Sequence, residues 1–234
     1  MAGVAKAGVI KNADHVVRSS LTRKVIAIVV SSLVVLLAVV YAISFFYERY
    51  GVFTVSISRY DMLKQGLSLS ETSMFEKPIS LLNADTVRTL TNISEDTLPA
   101  NIDAINGAHS GENYVAYTFY LKNTGKDTVT YDASIFISNV TLDIDEAIRI
   151  KVYTNGIPKT YAKTKKDGSG PESGTVEFVT NTIATKDIRA DFKPGDVDKF
   201  TVVIWLEGND PECLDNIVGG RLKADMKFTI IEGS

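Results

Sequence analysis

One cysteine and two histidines are all that 234 residues supply of thiol and imidazole, the side chains that most often bind zinc and other transition metals. A single thiol, Cys213, allows no disulfide within the chain, so an exported domain built from this sequence must rest on its core alone. That economy suits an envelope protein of a bacterium that makes little use of disulfides. His15 and His109 are too far apart for the two-histidine helix turn of a zincin, and no HExxH occurs. Ser110 beside His109 is not a triad, because sequence neighbours are poorly placed for proton transfer. Cys213 sits among Glu207, Asp210, Glu212 and Asp215, carboxylates that disfavour a thiolate, so a packed thiol is expected rather than a nucleophile. No enzyme is expected from these residues.

Charge is missing from one stretch altogether. Val25 to Tyr47, passing through Leu36, is 23 residues without an ionisable acid or base. As a helix it would be roughly 34 Å long, enough to cross a hydrocarbon layer of about 30 Å with some tilt. The sequence thus divides into a basic tail (1–24), a transmembrane helix acting as signal anchor (25–47) and a remaining domain (48–234). The tail carries Lys6, Lys11, Arg18, Arg23 and Lys24 against Asp14, and positive charge is scarce just after the span. That asymmetry puts the N-terminus in the cytoplasm and the domain outside. Phe45, Phe46, Tyr47 and Tyr50 have the composition of an interfacial aromatic belt. The alternative is a secretory signal cleaved near Ala42, but the apolar run is longer than signal peptides use, and an uncleaved anchor is the preferred reading. Beyond the span 20 basic residues face 27 acidic ones, a balance that favours neither nucleic acid nor anionic lipid as partner.

The rest is strand-patterned. Phe53, Val55 and Ile57 alternate with Thr54, Ser56 and Ser58, which predicts a half-buried strand tied directly to the span. Asp61–Gly66 predicts a helical turn, 70–78 a polar loop, and Pro99 opens a short helix reaching about Ile105. Tyr114–Asn123 and Val129–Val140 predict a strand and a returning strand around Asn123–Lys126. Asp143 with Glu146 has capping-box spacing. Asn155-Gly156 predicts a tight hairpin between 149–154 and 157–163, with Pro158 marking an edge. Lys165–Gly174 is a solvent loop; Val176–Val179 and Ile183 are short strand pieces; Lys199–Leu206 and Leu222–Ile231 are core strands. Seven to nine strands at this spacing predict a mainly β fold, an antiparallel β-sandwich of jelly-roll type.

Two segments, GDVDKFTVVIWLEGNDPEC at 195–213 and YTFYLKNTG at 117–125, resemble the exported β-sandwich proteins of Gram-positive bacteria related to TasA and camelysin. The resemblance covers the strand layout from about 51 to 231. It implies a surface or biofilm-matrix protein with a jelly-roll fold, in some members assembled into fibres when the N-terminal strand of one subunit completes the sheet of the next. A retained anchor departs from the released subunits of such fibres.

Two further features invite chemistry. Asp210, Glu212 and Asp215, with Glu207 and Asn209 nearby, offer hard oxygen ligands suited to Ca²⁺, without the spacing of an EF-hand loop. Tyr114, Tyr117, Tyr120, Tyr131, Tyr153 and Tyr161 suit a binding face, although tyrosine is also ordinary strand filling, which is preferred. The resulting expectation is a single-pass, membrane-anchored structural or adhesive protein of the cell surface. It meets the bilayer through 25–47 and associates with itself or other surface proteins, with Phe53, Val55 and Ile57 as the assembly strand. Deleting 52–58 should then abolish assembly and leave the domain folded but incomplete. The competing expectation is a non-catalytic ligand- or partner-binding module of an envelope complex.

Overall fold

The computed structural model describes residues 23–42, 53–76, 79–84 and 91–231. The basic tail up to residue 22, the aromatic residues Phe45, Phe46, Tyr47 and Tyr50, and Val52 lie outside the described residues. The chain divides into two compact units at Arg49 and Tyr50, the first holding an apolar helix and the second every strand among the described residues.

Helix α1 runs Arg23–Ala42, and by length and composition it can cross a membrane, as an anchor or as a signal sequence. Its two serines do not break the apolar run: Ser31 and Ser32 donate their hydroxyls to the carbonyls of Ile28 and Val29, so neither needs water.

Among the described residues of the second unit, twelve strands form two facing sheets. The first sheet has the order β10 (Ile183–Phe192), β6 (Val129–Thr141), β12 (Arg221–Ile231), β1 (Phe53–Ile57), β3 (Leu81–Asn83). The second runs β2 (Leu67–Ser70), β5 (Tyr114–Asn123), β11 (Val197–Leu206), β7 (Ile148–Thr154), β8 (Ile157–Ala162), β9 (Val176–Glu177), with β4 (Gly107–Ala108) also on β5. Pairing is antiparallel except at β1–β12 and β8–β9, which run parallel and depart from an all-antiparallel jelly roll. The fold is therefore mainly β and two-layered. Its core is aromatic: Phe119 stacks on Phe200 at 5.6 Å in one sheet, and both meet Phe228 of the other at 6.0 and 5.2 Å.

The alternation in β5 works as the residues predict for Val115, Tyr117, Phe119 and Leu121, all fully buried. Its other face is buried too, because Ile102 covers Ala116, Val203 and Trp205 in a second, smaller apolar cluster. β6 does not return beside β5 as expected; it crosses to the opposite sheet and pairs with β10 and β12. β10 is a ten-residue strand where only a fragment was expected at Ile183. The turn at 61–66 is helix α2, Arg59–Gln65, with Ser58 Oγ accepting from the Asp61 N–H at 3.0 Å and Gly66 left-handed at its end. The Pro99 segment gives one 3₁₀ turn, Ile102–Ala104.

At 155–156 both residues have positive φ, 53° and 83°, as the tight hairpin requires. Gly156 has open space around the missing Cβ, so Gly156→Ala should cost only the left-handed strain, about 1 kcal/mol. Gly66 is different: a Cβ there would lie 2.3 Å from the backbone nitrogen of Gly125. Gly66→Ala should therefore cost toward about 3 kcal/mol. Urea melts of the two variants check this, and equal midpoints would refute the Gly66–Gly125 contact.

Candidate functional site

The strongest concentration of ionisable groups follows β11. Trp205 is fully buried, and its indole N–H donates to Glu207 Oε2 at 2.9 Å. The same carboxylate accepts the backbone N–H groups of Glu95 and Asn209, so Glu207 ties the loop to the 95–97 turn and is committed to structure. Asp210 follows on the inner side of the loop. Its Oδ2 pairs with Arg149 of β7 at 2.5 Å, with both side chains buried (2% and 4% exposed), and its Oδ1 accepts the Glu212 N–H at 2.7 Å.

Glu212 Oε1 in turn accepts the Lys166 N–H at 3.1 Å, bringing in the 165–174 loop. Glu172 of that loop completes the cluster: one oxygen from each of Glu172, Asp210 and Glu212 lies within 4.8 Å of the others. Glu172 Oε2 stands 3.4 Å from Lys165 Nζ, while its Oε1 is buried without a hydrogen-bond partner. Asp210 and Glu212 are thus brought together as the sequence suggests, Asp215 is not one of the trio and instead opens, itself exposed, a 3₁₀ turn that buries Ile217, and Glu172 joins from a loop that sequence reading leaves as solvent. A hard cation would find oxygen ligands here, chiefly on Glu172 and Glu212, because Arg149 already neutralises Asp210.

The Asp210 carboxylate, hydrogen-bonded to the Glu212 side chain, holds that carboxyl above the usual glutamate range, with burial adding to it. An acid whose folded value lies above its unfolded one contributes stability below the unfolded value and loses it as pH rises through the folded value. Glu212→Gln keeps an oxygen for the Lys166 N–H and removes the titration. The variant should gain in melting temperature relative to the parent as pH rises above the ordinary glutamate value, about 4. Parallel melting curves across that range would sink this account.

A second cluster replaces the expected capping box. Asp143 is left-handed and its side chain caps nothing; Asp145 and Glu146 instead accept from Lys163 Nζ at 2.8 and 2.6 Å. Burial opposes the Lys163 charge, but the two carboxylates outweigh it and hold the ammonium above its ordinary value. An open, mostly polar cleft of about 320 Å³ lies beside it, lined by Glu146, Lys163, Thr164, Lys166, Glu177 and Asn181.

The remaining candidates are placed as follows. The two ring nitrogens of His109 face backbone carbonyls, Nδ1 that of Gly107 at 2.8 Å and Nε2 that of Ile102 at 2.9 Å, and Ser110 Oγ accepts from Ala116 N–H; the two side chains do not pair. Cys213 is half-buried 3.6 Å from Asn92 Nδ2, and burial, with Asp210 and Glu207, pushes its thiol up. Tyr117, Tyr131 and Tyr161 are buried, so they fill strands; Tyr114, Tyr120 and Tyr153 are half-buried. Tyr131 donates to Asp198 Oδ2 at 2.6 Å, and burial with that carboxylate drives its phenol far up.

Phe53, Val55 and Ile57 are all inside: β1 sits between β12 and β3, with Phe53 opposite Ala224 and Ile57 opposite Phe228. Thr54 Oγ1 donates to Asp225 Oδ1 across the parallel pair.

No protein-family model matches the chain. No curated protein matches it in sequence either. Among solved structures, two crystal structures of a β-glucosidase from Kluyveromyces marxianus align with 75% and 72% of this chain, at 14% and 11% identity and TM-scores of 0.25 and 0.27. The chain spans 17% of the length of either enzyme. A superposition that loose carries no argument about function.

Proposed function

We propose that this chain is a membrane-anchored structural or adhesive protein of a Gram-positive cell surface, an envelope or biofilm-matrix component. In this reading α1 holds it in the membrane, the N-terminus is cytoplasmic, and the strand unit is displayed outside. Copies associate by strand addition through β1. The observation that carries the reading is the seat of β1. It is the first strand after the apolar helix, it is only five residues long, and it fills a slot between β12 and β3 far from its partners in sequence. Burial, the sheet hydrogen bonds and the Thr54–Asp225 contact hold β1 there, and the β1 of a second copy carries the same groups to the same slot. The TasA and camelysin resemblance supports the same mode of assembly. Cleavage near Ala42 would turn the same subunit into a released one.

The Thr54–Asp225 contact supplies the test. In a Cys213→Ser background, Thr54→Cys with Asp225→Cys places two thiols at a parallel pair whose backbones lie within disulfide reach. Oxidation of the assembled protein should yield chains linked to one another. Links found only within single chains would overturn strand addition.

A further inference from the structure

Among the described residues, the strands that end the two sheets are β3 of three residues, β2 of four, β9 of two and β10 of ten. β10 alone is long enough to seat another full strand. It pairs with β6 on one side and with no strand on the other. An open edge of that length is a template for a further strand, and charge is what guards it. Here the guard is Lys186, Asp187 and Arg189. These charges repel a strand laid down in most registers, which keeps the edge from pairing at random. In one register they attract.

Two copies of one strand pair antiparallel about a two-fold axis normal to the sheet, and the residue on the axis faces itself. Like charges directly opposite each other disfavour a register, and unlike charges favour it. An axis at Lys186, Asp187 or Arg189 sets two ammoniums, two carboxylates or two guanidiniums face to face. An axis at Ala190 brings Asp191 into the ladder at the next pair, where its φ of 53° and the register shift before Phe192 break the strand. With the axis at Ile188, Asp187 meets Arg189 twice, Lys186 faces Ala190, and isoleucine meets isoleucine.

The side chains are free to make those contacts. Ile188 is 61% exposed in the middle of the edge. Asp187 and Arg189 are about half exposed, and each keeps capacity beyond its partners within the chain. Asp187 accepts from Tyr161 at 3.0 Å and stands 3.4 Å from Lys159 Nζ. Arg189 stands 3.4 Å from Asp198 and donates to the Ala190 carbonyl at 2.5 Å. A carboxylate has more lone pairs, and a guanidinium more donors, than these contacts use.

We infer that two copies of this chain pair edge to edge through β10, with the two-fold axis at Ile188, so that the first sheet of one copy continues into that of the other. The interface is isologous and closed: it covers the β10 edge of both copies and offers none to a third. It lies on the far side of β6 and β12 from the β1 slot and does not depend on strand addition.

The test uses the full-length chain in detergent, in the Cys213→Ser background, with mild oxidation. Opposite Cα atoms in an antiparallel pair are about 4.5–5.5 Å apart, within disulfide reach. Ile188→Cys should therefore link two chains. Lys186→Cys by itself should not, because the two copies of residue 186 are four residues apart along the ladder, about 13 Å. Ala190→Cys by itself should fail for the same reason. An equal mixture of Lys186→Cys and Ala190→Cys chains should link at least fivefold more than either one. Equal yields from all three single variants describe random collision in the micelle and overturn the inference, as does an unlinked Ile188→Cys chain. This pattern is read on Asp187 and Arg189 unaltered, so it stands however the charge variants fold. Adding Arg189→Glu to Ile188→Cys should cut the yield at least fivefold, and Asp187→Lys in the same chain should restore it. A yield that Arg189→Glu leaves unchanged also overturns the inference.

Discussion

Arg149→Met should destabilise the strand unit by about 3–5 kcal/mol, because it leaves Asp210 buried without its counter-ion. The pair is almost wholly out of water, so its attraction is poorly screened, and so is the penalty for losing one partner. The cost is compounded locally, since Glu172 and Glu212 stand within 4.8 Å and their repulsion of Asp210 is no longer offset by the guanidinium. Asp210→Asn should cost less. It leaves the Arg149 charge buried, but its amide oxygen still accepts from Arg149 or from the Glu212 N–H. The double variant Arg149→Met with Asp210→Leu removes both charges and should recover much of the loss. Urea unfolding of Arg149→Met, Asp210→Leu and the double variant forms a cycle. An Arg149→Met variant within about 1 kcal/mol of the parent would mean that the pair is hydrated and does not link β7 to the loop.

How much of this was legible in the residues depends on whether burial was one-sided. β6 and β12 alternate cleanly, and their bounds come close to what alternation predicts, because one face is apolar and the pleat has period two, while β5 is legible from the apolar stripe of one face although Ala116 and Thr118 on the other are buried as well. β10 was missed because Lys186, Asp187, Ile188, Arg189 and Ala190 are outside or half-outside, so the edge strand has no apolar stripe to read. The same charges explain why a ten-residue edge is harmless. Pairing partners were not legible either. Asn123–Lys126 looks like a hairpin turn, yet β6 crosses to the other sheet, where Tyr131 reaches Phe192 and Phe228 at 5.1 and 5.7 Å. Local spacing carries no term for which sheet a strand joins. The capping box at Asp143 and Glu146 failed for a related reason: a lysine 17 residues further on competes for Glu146 and wins through proximity in space. At the acidic loop, Asp210 and Glu212 could be named from composition. Arg149 and Glu172 could not, since one looks like a strand residue and the other like solvent polarity.

Beginning the chain at Arg59 should unfold the strand unit rather than trim it. The sequence suggests that losing 52–58 leaves an incomplete but folded domain; the burial of β1 argues otherwise. Phe53 and Val55 are fully buried and Ile57 is 5% exposed, and each such side chain contributes about 1.5–3 kcal/mol when taken from water. Three of them approach the whole stability of an ordinary domain, about 5–15 kcal/mol. The backbone loses partners as well: Ala84 N–H bonds the Phe53 carbonyl at 2.9 Å, and Ile57 N–H bonds the Ser80 carbonyl at 3.0 Å. Removing β1 bares the inner edge of β12 and cuts β3 from its sheet, so the hydrogen-bond ladder opens in the middle, not at a rim. The truncated chain should show no cooperative thermal transition by itself. A peptide of residues 50–58 added in trans should restore one, with a midpoint that rises with peptide concentration. A scrambled peptide should not. Restoration in trans is also the elementary step of strand addition, since a slot that accepts a free β1 accepts the β1 of another copy. A truncated chain that melts at the parent temperature without peptide would show that β1 is dispensable, and strand addition through it would then have no energy to draw on.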